Sequence, residues 1–295
     1  MYKKTPINQL KPNYKIHVTD KKRKDYQETK AIVHRLYTQT RRKPITILIS
    51  IIQPLLWLIM FGALFQNAPI YLFDKYKLQY TTFLNPGIIV FTAFNSSINT
   101  GLNIIFDREF GFLNKILISP IKNKKSIIYS CIIHAWTITM IQVSIITSIT
   151  YFKNFTNKPI NFINLSIGLI VISTIIIIIS NLSIYSAFTL PGHIEFIGIT
   201  SLLLNLPTLF TSTALAPLSF MPQWLQILCC MNPLTYAIET IRNLSFNNSI
   251  SLHETIIKTP FIHIRGYHGL TILIILNMIS FISINHFIKY KYDKN

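Results

Sequence analysis

The chain has 295 residues, half of them hydrophobic and 13% charged, and its mean hydropathy is +0.41. This composition is typical of a membrane protein with several spans and excludes an ordinary soluble domain. A net charge of +18 would suggest a nucleic-acid partner in a soluble protein, but 13 of the 28 Lys and Arg residues precede Pro44. Because basic residues cluster on one side of membrane proteins, we interpret this charge as a topology signal and expect no nucleic-acid binding.

The polar segment before the first apolar run has two parts. Residues 1–25 form a Lys-rich extension without the apolar core of a signal peptide, and they make a poor transit peptide. From Tyr26 to Arg42, apolar residues recur at helical spacing, with basic residues between them. This pattern predicts an amphipathic helix at the membrane interface. The alternative is a disordered basic arm that only sets topology.

Six uncharged runs are long enough to cross a hydrocarbon core as a helix, which takes roughly 20 residues. We predict spans at about 46–66, 83–106, 127–151, 162–186, 197–215 and 269–288. With six spans, 21 Lys and Arg residues lie on the amino-terminal side and 7 on the other. Both termini are therefore expected to face the cytoplasm or its equivalent.

Span two is the most polar of the predicted spans. Its amide and hydroxyl side chains include Asn95, Ser96, Asn99 and Asn103. Such groups can bond neighbouring helices or line a path for a solute, and the sequence leaves both interpretations open.

The stretch FDREFGFLNKILISP, residues 106–120, places three charges directly after span two. Each charge would cost about 2.5 to 3.5 kcal/mol at mid-bilayer, so they must lie at or beyond the interface. Apolar residues then recur at helical spacing, which predicts a short amphipathic helix on the cytoplasmic surface. Acidic residues contribute little to topology, so they favour a specific contact here. Asp107 and Glu109 either order Arg108 or dock basic residues of a soluble partner.

The run at 196–238 is too long for one straight span, and four prolines interrupt it. We expect a span to about residue 215, followed by a short amphipathic or re-entrant element. Asn232 can cap a new helix with Pro233 at its first position. Glu239 and Arg242 are then i,i+3 neighbours that can pair.

The sequence contains no GxxxxGK phosphate loop and no HExxH motif, and the cysteines at 131, 229 and 230 form no CxxC pattern. We therefore predict no catalytic residue, metal site or cofactor on this chain, and we do not expect it to hydrolyse nucleotide itself. A membrane enzyme is the weaker class. Its best remaining site is the outer loop around Glu239 and His253.

Five collinear blocks over about residues 30–290 resemble the membrane subunits of ABC-2 type transporters, the permeases of bacterial drug, polysaccharide and lipid exporters. They comprise Arg35 with the Thr40, Arg41, Arg42 triplet, then QPLLWLIMFG, FLNPGIIVFTA, FDREFGFLNKILISPI, and APLSFMPQWLQ with NPLTYAIETIRN. The resemblance implies an all-α fold with six spans over 26–295, two permease domains around one path, and separate ATPase subunits that use the ATP.

The resemblance also implies roles for particular residues. The cytoplasmic coupling helix, which would contact the ATPase, is expected to start at Asp107, Arg108, Glu109, Phe110 and Gly111. An outer re-entrant element before span six is expected to include Pro217, Pro222, Asn232, Pro233, Tyr236, Glu239 and Arg242.

The chain is rich in Ile, Asn, Lys, Phe and Tyr and has only nine glycines, as an AT-rich genome would favour. Together with the lack of a transit peptide, this makes it similar to permeases encoded in algal plastid genomes, with an AT-rich bacterium and its inner membrane as the alternative. We expect an ATP-driven exporter of a lipid, glycan, haem or drug-like substrate, built as a homodimer or heterodimer of permeases in the lipid bilayer. A non-transporting scaffold or assembly factor with the same fold is the alternative function.

Overall fold

The computed structural model describes residues 21–65, 80–112, 115, 118, 125–153, 162–189, 205–246, 255–258 and 263–292. The helices are α1 (Lys21–Arg42), α2 (Pro44–Leu64), α3 (Tyr80–Ile98), α4 (Thr100–Glu109), α5 (Lys125–Lys153), α6 (Phe162–Thr189), α7 (Gln223–Met231), α8 (Pro233–Phe246) and α9 (Gly266–Tyr292). Strands β1 (Thr255–Lys258) and β2 (His263–Arg265) form an antiparallel pair between α8 and α9.

Within the part of the chain that the structure describes, five helical segments are long and apolar enough to cross a membrane. They are Pro44–Leu64, Tyr80–Glu109, Lys125–Thr150, Ile163–Thr189 and Gly266–His286. These segments match five of the six predicted spans. The sixth, at about 197–215, lies partly outside the described residues; residues 205–210 are helical and turns follow them. A count of six spans therefore stays a prediction, as does the boundary at residue 25.

The prediction of an all-α chain was wrong in one place, because the expected outer loop contains the hairpin of β1 and β2. Ile256, Ile257 and Ile264 are buried there. These isoleucines have polar or charged neighbours in the sequence, so no long apolar run indicated a buried strand. The β-branched side chain of isoleucine favours the extended backbone.

The helix predicted at 26–42 is present within α1, and the apolar face of α1 packs against the protein. Ile32 and Leu36 are buried in a cluster with residues of α4, α5 and α6. Tyr26, expected on the same face, is exposed. Thr40 bonds the ring of His134 on α5 at 2.8 Å, and Tyr37 bonds Thr137. The apolar stripe of α1 thus docks this helix onto the spans.

The second candidate span is the most buried of the five and is broken at Asn99, between α3 and α4. At the break the Ser183 hydroxyl of α6 accepts a hydrogen bond from the Gly101 amide at 2.9 Å and donates one to the Ile98 carbonyl. A side chain inserted into the helical bonding pattern in this way is a known cause of helix bends. This break in the helical bonding separates α4, which leads to residue 107, from α3.

Candidate coupling site and the buried Arg242

The end of α4 is joined to α1 by an ion pair between Asp107 and Arg35. One guanidinium nitrogen, Nη1, donates to Asp107 Oδ1 at 3.1 Å, and Nη2 donates to Oδ2. The same guanidinium lies 4.2 Å from the centroid of the Phe112 ring. A bidentate contact of this kind fixes the direction of both side chains. Sequence reasoning did not pair these residues, because no local pattern connects positions 72 apart.

Arg108 points in another direction, towards the end of α6. Its Nη1 donates to the Ala187 carbonyl at 3.1 Å. Carbonyls in the last turn of a helix lack intrahelical partners, and the helix dipole favours a cation there. Asp107 and Arg108, adjacent in sequence, therefore connect α4 to two different helices.

The residues that follow present apolar side chains to the surroundings. Phe110 is 78% exposed and Ile118 is 85% exposed. Gly111 has a positive φ of 68°, which ends α4 as glycine commonly ends helices. Of the next residues, those at 112, 115 and 118 are helical in the described part of the chain. We call residues 107–118 the coupling segment; its predicted contact with an ATPase stays a prediction.

The polar residues of span two bond neighbouring helices. Asn95 donates to Gln53 of α2 at 3.3 Å and accepts a hydrogen bond from Asn205 at 2.7 Å. Thr139 of α5 donates to Ser96 at 2.8 Å. The Asn99 side chain returns to the Asn95 carbonyl at 2.8 Å, and Asn103 is half-buried.

These contacts supply the helix packing that the sequence offered as one interpretation of span two. Gln53 is nevertheless exposed, although it lies in the middle of α2. The predicted pathway role of this region is not excluded by the bonds and stays a prediction.

In the predicted outer element, Asn232 begins α8 as expected. Its side-chain oxygen accepts a hydrogen bond from the Leu234 amide at 3.0 Å, and Pro233 is the first residue of the helix. The Asn232 amide also donates to the Thr208 and Thr211 carbonyls at 3.1 Å each. The predicted cap is confirmed, and it also holds the preceding turn.

Two predicted prolines of this element lie at helix boundaries, and Tyr236 lies within α8. Pro217 precedes the short 3₁₀ turn Leu218–Phe220, and Pro222 immediately precedes α7. Tyr236 donates to the Cys230 carbonyl, linking α8 back to α7. The position of these short helices relative to the membrane stays a prediction.

Arg242 is the largest fully buried side chain among the described residues, at 1% exposure. It pairs with Glu239, as the i,i+3 spacing predicted. Its Nη2 donates to the Thr213 carbonyl at 2.8 Å and to the Phe83 carbonyl at 3.4 Å, and its guanidinium lies 3.8 Å from the Phe83 ring centroid. A buried charge is tolerated only when it is paired and hydrogen-bonded. The pair therefore joins α8 to the 211–217 turn and the start of α3. The i,i+3 spacing predicted the pair but not its burial, which depends on these distant segments.

Within the described ranges, no three His, Cys, Asp or Glu side chains come together as metal ligands. His253, which the enzyme alternative would use, lies outside those ranges, and Glu239 is committed to Arg242. The predicted site residues that the structure describes form ion pairs and hydrogen bonds between helices, and Phe110 and Ile118 present an exposed apolar surface.

The five candidate spans and the polar contacts between them define an integral membrane protein. The profile of the family described as "ABC-2 type transporter" matches residues 27–246. The chain belongs to this family, as its five collinear blocks predicted.

Three relatives named "Putative transport permease ycf38" are similar over nearly the whole chain. The proteins of Porphyra purpurea and Cyanophora paradoxa are 42% and 44% identical over 263 residues, 89% of each chain. That of Pyropia yezoensis is 42% identical over 284 residues, 96% of each chain. These relatives come from algal plastid genomes, as the composition suggested, which together with the candidate spans indicates a plastid membrane protein.

Proposed function

We propose that this chain is the membrane-spanning subunit of an ATP-driven exporter in a plastid membrane, with its coupling segment docked on a separate ATPase. Membership in the ABC-2 type family implies an ATPase partner. The observation that carries the proposal is the exposed apolar surface of Phe110 and Ile118, beside charged residues that the chain itself holds in place. An apolar anchor next to fixed charges suits a protein interface better than open water.

The contacts of Asp107 and Arg108 support the coupling role. Because Asp107 is joined to α1 and Arg108 to the end of α6, a displacement of the coupling segment would move three helices together. Binding of ATP by the partner would then bias the permease between two states, to the extent that the partner's affinity for those states differs. Under this proposal Asp107 and Arg108 position the interface, and Phe110 and Ile118 make it.

The amide cluster of Gln53, Asn95 and Asn205 supports a location for the path. Gln53 lies about 14 Å along α2 from its first residue, at 1.5 Å per residue, and is exposed. An exposed amide at that depth is unfavourable against lipid, because hydrocarbon cannot satisfy it. We propose that this surface faces a second permease subunit across the path, where water or cargo can bond it.

The charge distribution supports an orientation. The excess of Lys and Arg on the amino-terminal side places both termini and the coupling segment on the stromal side under this proposal. The ATPase would then dock from the stroma, where ATP is available to a soluble subunit.

The test is purification of the tagged chain from plastid membranes together with its native partners. We expect an ATPase subunit to copurify, and we expect the double variant Phe110→Ala/Ile118→Ala to retain less than a tenth of it. The matched control is Phe220→Ala, an exposed phenylalanine of the outer element, which should retain the partner. A transport-active preparation without any ATPase would contradict the proposal, and a stable ATPase complex that moves no cargo would support the scaffold alternative.

A further inference from the structure

The break in the second span is bonded on both sides by one hydroxyl group. Ser183 Oγ accepts from the Gly101 amide and donates to the Ile98 carbonyl, so it lies between the last residue of α3 and the first turn of α4. The Leu102 amide bonds the Asn99 carbonyl at 3.2 Å, three residues back. Without the inserted hydroxyl, the Gly101 and Leu102 amides could bond the carbonyls four residues before them, as in a straight helix.

The two halves of this span share α6 as a neighbour but differ in their other polar contacts. Along α4, Thr100 contacts Ser180 at 3.3 Å and Arg108 bonds Ala187, so both ends of α4 are attached to α6. A Cβ on Gly101 would collide with the Ser183 backbone, which shows how closely the two helices approach there.

The other half, α3, is attached to the outer element. Tyr80 donates to the Leu215 carbonyl at 3.0 Å, and Arg242 bonds the carbonyls of Phe83 and Thr213. A Cβ on Gly87 would collide with the Ala214 backbone. Both halves pack against α6, but within the described residues the outer element bonds only the α3 half, so the polar contacts of the second span change at Asn99.

We propose that Ser183 is the positioning residue of a joint at Asn99, across which α4, α1 and the adjoining half of α6 move as one unit against α3 and the outer element. The inference deepens the proposed function and rests on it, because the partner would drive the motion through the coupling segment. Exchanging the Ser183 bonds for helical bonds keeps the number of hydrogen bonds nearly constant, so hydrogen bonding favours neither the broken nor the continuous form of the span strongly. Switching proteins amplify small displacements where packing has two discrete arrangements of this kind.

The first test uses the chain alone in lipid vesicles, with hydrogen exchange of the backbone amides at 99–103 as the readout. Ser183→Ala removes the hydroxyl that holds the broken form, so we expect the exchange rate of the Gly101 amide, and with it the protection of the peptide 99–103, to change about tenfold. Ser186→Ala is the matched control, since that hydroxyl only bonds the Ser183 carbonyl within α6 at 2.8 Å. Unchanged exchange in Ser183→Ala would overturn the joint.

A second variant covers the case in which Ser183→Ala fails to fold. Gly101→Ala keeps the Ser183 hydroxyl but introduces a methyl group that must push α4 away from α6. We expect it to change the same amides, 99–103, and to leave those of α9 unaltered. Exchange equal to that of the unaltered chain would overturn the close approach on which the joint depends.

The third test uses the complex with the ATPase and measures distances between spin labels, after replacement of the native cysteines. One pair, Gln39 on α1 and Thr189 at the end of α6, lies within the proposed unit; the other, Gln39 and Trp224 on α7, spans the joint. All three positions are exposed. A non-hydrolysable ATP analogue should shift the second distance and not the first. A shift in both or in neither would overturn the inference, whereas failure to obtain an ATPase complex would contradict the proposed function and leave the exchange tests to decide the role of Ser183.

Discussion

Arg35 and Asp107 lie 72 positions apart and form a bidentate ion pair that joins the amino-terminal helix to the end of the second span. Both side chains are partly buried, and the Phe112 ring covers the guanidinium. The contact makes the first helix part of the coupling machinery under our proposal. Asp107, one of the three adjacent charges at residues 107–109, is thus already paired within the chain and is not available as a free acid for a partner.

Arg35→Ala should weaken both folding and partner binding. The substitution leaves Asp107 partly buried without its cation, which we expect to cost about 1 to 3 kcal/mol of unfolding free energy. The loss would appear as a lower unfolding midpoint in detergent and as reduced recovery of the ATPase. Arg41→Ala, an exposed arginine of the same helix, is the control, and an equal loss there would contradict a specific role for the pair.

The exchanged pair Arg35→Asp/Asp107→Arg tests whether the contact itself matters. If the ion pair is the relevant interaction, the double variant should recover part of the stability that each single variant loses, as a double-mutant cycle measures. Strictly additive losses would show that the two residues act independently.

Arg242→Ala should be the most destabilising single substitution of a charged residue described here. It leaves Glu239 buried without a cation, and breaking one partner of a buried pair costs about 3 to 5 kcal/mol. The double variant Glu239→Gln/Arg242→Met removes both charges and should be the milder change. Thermal unfolding in detergent measures both, with Arg265→Ala, an exposed arginine, as the control. A double variant less stable than Arg242→Ala would contradict this account.

Two substitutions of Asn232 separate its two contacts. Asn232→Ser keeps an oxygen for the Leu234 amide but is too short to donate to the Thr208 and Thr211 carbonyls, whereas Asn232→Ala removes both contacts. Loss of a helix cap costs about 0.5 to 2 kcal/mol, so Asn232→Ala should lie below Asn232→Ser in unfolding midpoint. Asn285→Ala is the control, because that amide only bonds a carbonyl of its own helix. Equal midpoints for both Asn232 variants would show that the cap contributes nothing measurable.

Gln53→Cys should be cross-linked between two copies of the chain by a bifunctional thiol reagent long enough to cross the path, in native membranes once the native cysteines are replaced. Our proposal places this exposed position opposite a second permease, so the reagent should yield a dimer on a denaturing gel. Ile59→Cys is the control, since six residues along a helix place it about 120° around α2 and it is also exposed. Cross-linking at Ile59 and none at Gln53 would move the proposed path to another face.

The sequence by itself determined the class of the protein and most of its long helices. Uncharged runs of bilayer length predicted five segments that the structure shows as candidate spans, because a lipid environment forces both apolar side chains and internal backbone bonding. The sequence also predicted the helix cap at Asn232 and Pro233 and the ion pair of Glu239 with Arg242. Both contacts join residues only a few positions apart, so the helical spacing alone indicates them. The five collinear blocks predicted the family, which the comparisons confirmed.

Only the tertiary structure decided which groups meet across the chain. The pairing of Asp107 with Arg35, the burial of Arg242 and the insertion of Ser183 beside Gly101 all join residues more than 25 positions apart. No periodicity encodes such contacts, because each depends on how the helices pack. The physical reason is common to all three: a polar group removed from water must find a partner, and packing decides which partner is within reach.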